Sequence, residues 1–222
     1  MTIAFDAASA ASSDGTTALT IAHTCTGSNL ALVVSAECPN STDYLATGTA
    51  TYNGVSMGSP RVSNTGSANL FIYTWVLANP ATGTHDIVVT PSANAYLDVI
   101  GISFTGVDQT TPVDSTANSY NGYAISPYSD NITVTSGGFA VDAFAERLLT
   151  GTLACDATQT NAIAVTANSV SRMGASYKSN ATAMAWTFSA TEPIVVHTVV
   201  ALKAAAGGDV TAPTLTSPTG TQ

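Results

Sequence analysis

The sequence predicts an all-β fold, a two-sheet antiparallel β-sandwich of jelly-roll-like form, and three features carry that expectation. Its apolar stretches are short, rich in Val, Ile, Thr and aromatic residues, and bounded by Gly, Pro, Asn or Asp, which is the composition of strands and turns. No stretch of about eleven residues or more repeats its apolar positions at the helical period. Polar turns follow one another without an intervening helix, so the strands must cover each other as packed sheets.

In chain order, strands are expected at 2–5, 18–24, 30–37, 47–52, 70–77, 85–90, 97–104, 131–135, 138–146, 162–167, 169–178, 183–189 and 194–202. Asn53-Gly54 lies between the apolar flanks Tyr52 and Val55, and both residues accept positive φ, so a type I′ hairpin is expected there. Asn79-Pro80 through Gly83 closes the 70–77 strand and returns the chain as 85–90, which makes these two strands expected hairpin partners. Residues 105–128 mix Gly, Pro, Asp, Asn and three tyrosines without alternation and read as a long loop crossing between sheets. Trp75 and Trp186 sit mid-strand among apolar neighbours and are assigned to the core. One short echo joins 32–37 and 140–146, which both close an apolar strand with Ala-Glu; it is too brief to establish a repeat. Residues 1–203 are assigned to the sandwich. The remainder, 204–222, reads as a flexible hinge followed by an extended, Pro-punctuated segment like the first strand of an immunoglobulin-like or fibronectin-like domain.

Charged residues are 9% of the chain, against roughly 25% in an ordinary soluble domain, so Thr, Ser, Asn and Gly must cover the surface. Such a surface suits permanent contact with other subunits. Five Lys and Arg against fourteen Asp and Glu give a net charge of −9. So few scattered cations cannot neutralise a phosphate track, which argues against a nucleic-acid partner and against an anionic membrane surface. No apolar run reaches the roughly 20 residues that cross a bilayer, and the opening MTIAFDAASA lacks a cationic region followed by a long apolar one, so no secretory leader is expected in the sequence as given. Cys25, Cys38 and Cys155 are odd in number and lack C-x-x-C spacing, which points to neither a zinc site nor a disulfide framework; they read as small buried hydrophobes.

Candidate chemistry is sparse. A sandwich glycosidase needs two carboxylates about 5 to 10 Å apart in a cleft. Glu37, Asp98, Asp142 and Glu146 lie at or within strands, but no E-x-D-x-E alternation places them on one face. His23, His85 and His197 are likewise in strands, with no G-x-S-x-G elbow to accompany them. The chain is therefore expected not to be an enzyme. Asp108, Asp114 and Asp130 flank the long loop and could fasten it through a structural calcium ion, although no D-x-D-x-D-G run is present. No other cofactor is expected. Tyr120, Tyr123 and Tyr128, with Asn118 and Asn121, offer ring faces and amides for a glycan. Packing at the sandwich edge or at a subunit contact is the simpler reading of the same residues.

The phrases Tyr52-Asn53-Gly54-Val55, Trp75-Val76-Leu77-Ala78-Asn79-Pro80 running into Gly83-Thr84-His85-Asp86-Ile87-Val88-Val89-Thr90, and Ser103-Phe104-Thr105-Gly106-Val107-Asp108-Gln109-Thr110-Thr111-Pro112 resemble a β-sandwich module of tailed-bacteriophage virion proteins, which also occurs in bacterial surface and secreted proteins. The similarity spans roughly positions 17–203, in strands and turns, and brings no catalytic residue with it. It implies a capsid decoration or head-fibre subunit, homotrimeric, whose partners are its own copies and the major capsid protein. Such a protein is located in the virion and assembles in the host cytoplasm. The alternative is a carbohydrate-binding adhesin or tail-fibre module that takes a host glycan, with an extracellular or cell-surface location. A sandwich glycoside hydrolase ranks third.

Overall fold

A computed structural model describes residues 1–64, 69–147, 149–189 and 193–206, and among them strands are the only regular elements. The first half contributes β1 (Ala4–Thr16), β2 (Leu19–Cys25), β3 (Ala31–Cys38), β4 (Thr49–Tyr52), β5 (Val55–Ser56), β6 (Val62–Asn64), β7 (Phe71–Ala78), β8 (Gly83–Thr90) and β9 (Ala95–Thr105). The second contributes β10 (Val113–Asn121), β11 (Tyr128–Asn131), β12 (Phe139–Glu146), β13 (Leu153–Cys155), β14 (Thr160–Ala167), β15 (Arg172–Ser179), β16 (Ala183–Phe188) and β17 (Val195–Leu202).

The all-β, antiparallel, sandwich-like expectation holds, with four sheets where two were expected. They are β1-β9-β3-β7-β6 and β2-β8-β4-β5 from the first half, and β10-β17-β12-β15-β14 and β11-β16-β13 from the second. The two halves repeat one pattern: β10, β11, β12, β14, β15, β16 and β17 take the places of β1, β2, β3, β6, β7, β8 and β9, and β13 stands where β4 and β5 stand. Setting aside the edge strand β6, the first half has the strand order of a jelly roll, in which two interleaved Greek keys close a double sheet. The second half is the same jelly roll without the β5 strand.

The four sheets stack as layers. The smaller sheets lie outside, and the two five-stranded sheets meet face to face in the middle. Alternation decides which side chains go where. Ala31 and Val33 of β3 join Ile72, Ile100, Phe104, Val141, Met173 and Val200 in the central interior, whereas Leu32, Val34 and Ala36 point the other way, to Trp75, Ile87 and Leu97 under the β2 sheet. Under the β11 sheet lie Phe144, Trp186, Phe188 and Val195. Strands such as β3 and β17 are buried on both faces and are therefore apolar almost throughout.

Across the central interior β3 lies over β12, β9 over β15, β7 over β17, β1 over β14 and β6 over β10. Exchanging each strand for its counterpart turns this set of pairs into itself, so the halves are related by a pseudo-twofold axis through β3 and β12. The joint is the intramolecular version of an isologous dimer interface. The Ala-Glu echo falls on these two strands, but out of phase. Glu37 lies on the face of β3 that meets the second half, where Ser171 bonds it, and Glu146 lies on the far face of β12, beside Phe144.

Several expectations need correction. β7 and β8 are not hairpin partners: β7 pairs with β3 and β6, and β8 with β2 and β4. The 79–83 turn, with positive φ at Asn79 and Gly83, carries the chain from one sheet to the other. Residues 105–128 are not one loop, because β10 runs through them as an edge strand alternating between exposed and half-buried positions. The strand expected at 2–5 extends to Thr16, and the one expected at 131–135 is β11, ending at Asn131. Asn53 and Gly54 have the positive φ values, 49° and 72°, that the type I′ hairpin requires. All three cysteines are free, with Cys25 and Cys38 buried. Ala204 bridges to Val107 and Ala205 accepts a hydrogen bond from the N-terminal ammonium; the rest of the expected hinge and extended segment, from 207, lies outside the described residues.

Candidate functional site

The residues assigned to a glycan or a contact surface are dispersed around the β10 to β11 connection. Tyr120 and Tyr128 are half-buried, Tyr128 against Phe144 with ring centroids 6.0 Å apart. Tyr123 is 75% exposed and Ile125 80% exposed. The backbone N–H of Tyr123 donates to Asn121 Oδ1 at 2.9 Å, a local turn that fixes where the ring emerges. Asn118 is exposed on β10. Of the three tyrosines, one is therefore presented to solvent.

The three loop aspartates are engaged separately. Asp108 accepts from the N–H groups of Thr110 and Thr111 at 2.9 Å and lies 3.7 Å from Lys203 Nζ. Asp114 accepts from Thr135 Oγ1. Asp130 accepts from Ser119 Oγ at 2.6 Å and pairs with His197. Among the described residues no three His, Cys, Asp or Glu side chains are grouped as a metal site would need.

The carboxylates weighed for hydrolysis are all in the interior. Glu37 and Asp98 are cross-strand partners on β3 and β9, and both are completely buried. Glu146, also completely buried, pairs with Arg172, whose guanidinium also donates to the carbonyls of Thr150 and Gly151. Burial outweighs that partner and pushes the Glu146 carboxyl up. Asp142 is held from several sides. Its Oδ1 accepts from the N–H and hydroxyl of Ser176 at 2.9 and 2.6 Å, and its Oδ2 from the indole of Trp186 at 2.8 Å. His197 lies between Asp142, 3.1 Å from Nε2, and Asp130, 2.9 Å from Nδ1. Burial alone would drive the His197 proton off, but the two carboxylates outweigh it and push the imidazole up to about 9. This histidine is fully buried and held between two carboxylates that favour its charged form.

Sequence reasoning missed two features. The Glu37–Asp98 apposition has no sequence signal, because which strands become neighbours is decided by topology. The second is an open groove of about 460 Å³ beside β10, lined by Ser115, Thr116, Asn131, Thr133, Asn180 and Thr182 over Ile132, Val134 and Ala181. Its polar residues fall on three separate segments, so no motif announces it.

No family model matches the chain, and no curated protein or solved structure matches it either.

Proposed function

We propose that this chain is a structural module acting through protein–protein contacts, most specifically a phage virion component such as a capsid decoration or head-fibre subunit. The observation that carries the reading is the closed, four-layer build. Both jelly rolls spend their five-stranded sheets on each other, and their carboxylates and histidines of catalytic type are largely locked in the interior. What is left for partners is a surface of hydroxyls and amides with few charges, which suits subunit contact. Virion placement, a homotrimeric state and attachment to a major capsid protein come from the sequence resemblance. The test is to add the purified chain to particles lacking it and sediment them. Saturable, stoichiometric binding that survives about 1 M salt is expected, because exposed ion pairs are screened and apolar burial is not; absence from particles would overturn the reading.

A second reading, a glycan-binding adhesin or tail-fibre module, is favoured by the exposed Tyr123 ring held by Asn121. Aromatic faces take sugar C–H groups, and the amides of Asn118 and Asn121 can bond hydroxyls. A glycan array whose signal disappears in Tyr123→Ala would support it, and an array blank for the wild type would remove it.

A further inference from the structure

At the end of the central joint where β3 and β12 finish, the two halves exchange polar contacts. Glu37 and Asp98 come from the first half and face each other with 0% exposure. From the second half, Ser171 Oγ donates to the Glu37 carboxyl, 2.8 and 3.0 Å from its two oxygens, and Asn168 Nδ2 donates to Ser171 Oγ at 3.0 Å. Asn168 Oδ1 in turn accepts from the N–H groups of Val170 and Ser171 at 2.8 and 2.9 Å, shaping the segment that enters β15. Both Asp98 oxygens are buried, and among the described residues neither has a hydrogen-bond partner of full geometry; the backbone N–H of Asn168 is near enough to favour the charged form, but less than burial opposes it. Two buried carboxylates cannot both stay ionised at such a place without a close, dedicated cation.

We propose that Glu37 and Asp98 share one proton and, gripped by Ser171 and Asn168, form a proton-held latch across the joint between the two jelly rolls. The inference goes beyond the structural-module reading and does not depend on it. When the proton leaves for water or hydroxide, two carboxylates remain opposed, and the 168–171 segment releases from the first half. The charges around the pair do not cancel this repulsion. Asp14, at the end of β1, adds to it and accepts from the Ser169 N–H at 2.7 Å. Arg147, just after β12, opposes it as a lesser influence on Glu37. Arg172 is committed to Glu146, and Cys38 stays a thiol because burial pushes it up to about 12. Consistently, burial raises Asp98 to about 7, and burial with the Asp98 charge holds Glu37 well above the carboxylate range. A carboxyl raised by folding contributes stability that is complete below its unfolded pKa and is lost as pH rises through the folded one. The latch therefore weakens from about pH 4 upwards, through neutrality.

The test is amide hydrogen exchange on the full chain from pH 6 to pH 9, read at Val170 and Ser171 against Val89 of β8, a strand paired on both sides in the outer sheet, as an internal control. In the wild type the two latch amides should gain about tenfold or more over the intrinsic rise in exchange with pH, as a joint loosened by roughly 1.4 kcal/mol requires. The double variant Glu37→Gln/Asp98→Asn keeps the shape without either charge and should abolish the excess, and each single variant, which retains one buried carboxyl, should reduce it. An excess that persists in the double variant, or is absent from the wild type, overturns the latch. Protection restored at pH 9 by millimolar calcium, and lost again in EDTA, also overturns it and makes the pair a cation site.

Discussion

In the second jelly roll the indole N–H of Trp186 and Nε2 of His197 both end on Asp142, whereas in the first the indole N–H of Trp75 and Nε2 of His23 meet no hydrogen-bond partner among the described residues. The strand order is the same in both. On β12 the outward face carries Asp142, and on β3 the corresponding face carries Leu32, Val34, Ala36 and Cys38, with no carboxylate. Turns and alternation thus specify a jelly roll equally well over an apolar interior or over a polar network. The difference is in what each interior demands. A charged network must be complete, since removing one member strands the rest in a low dielectric. An apolar interior tolerates an orphaned N–H at a smaller, fixed cost.

The largest contrast should come from Asp142→Ala. It leaves Trp186, Ser176 and the His197 cation without their shared acceptor, and losing one partner of a buried charged set costs about 3–5 kcal/mol. Chemical denaturation at pH 7 measures it, and a loss below about 1 kcal/mol would show that the network contributes no more than an apolar filling. The same network predicts alkaline sensitivity. His197 is raised by folding to about 9, so its stabilisation is complete below about pH 6.5 and is lost as pH climbs through 9, on the order of 3 kcal/mol at most. Stability of the wild type should fall between about pH 6.5 and pH 9, and His197→Gln, less stable at pH 7, should show a shallower fall over that window.

Close packing gives the next effect. A Cβ on Gly174 of β15 would lie 2.4 Å from Cη2 of Trp186, an indole stacked on Phe144 at 5.6 Å. A Cβ on Gly101 of β9 would lie 2.3 Å from Cδ1 of Ile87, the free end of a side chain that can rotate away. Gly174→Ala should therefore cost about 1–3 kcal/mol and Gly101→Ala less than about 1. Equal melting temperatures for the two variants would show that the aromatic stack yields as readily as a methyl group.

The sequence makes the strands that alternate or are wholly apolar legible, because burial on one or both faces writes itself into residue type. β3, β7, β9, β12 and β17 are found that way. β10 escapes because an edge strand built of Ser, Thr, Asn and Ala carries no apolar signal, and most of β1, another Ala-Ser edge, escapes for the same reason. The duplication is hidden because the halves share topology with little residue identity, and the Ala-Glu echo on β3 and β12 is one residue out of phase. Chemistry was legible only where it is local, as at the Asn121 turn below Tyr123. Glu37 with Asp98, and His197 between Asp130 and Asp142, depend on which strands become neighbours, and no local spacing encodes that.

The smallest predicted effect is acid sensitivity of the first jelly roll. His23 is 2% exposed, with Nδ1 2.8 Å from Ser9 Oγ. Burial pulls its pKa below the usual 6.5, and the Asp6 charge offsets this only in part. A histidine kept neutral by the fold favours the folded state above its unfolded pKa, and that stability is lost as pH falls through and below 6.5. The direction is opposite to that of His197. The Glu37–Asp98 latch gains on acidification over the same range, so the two effects oppose each other in the wild type. In a Glu37→Gln/Asp98→Asn background the pair no longer titrates, and stability should fall by about 1 kcal/mol between pH 7 and pH 5. Adding His23→Gln should flatten that slope. The direct check is an NMR titration of the His23 ring: a midpoint at or above 6.5 would erase the contrast between the two halves.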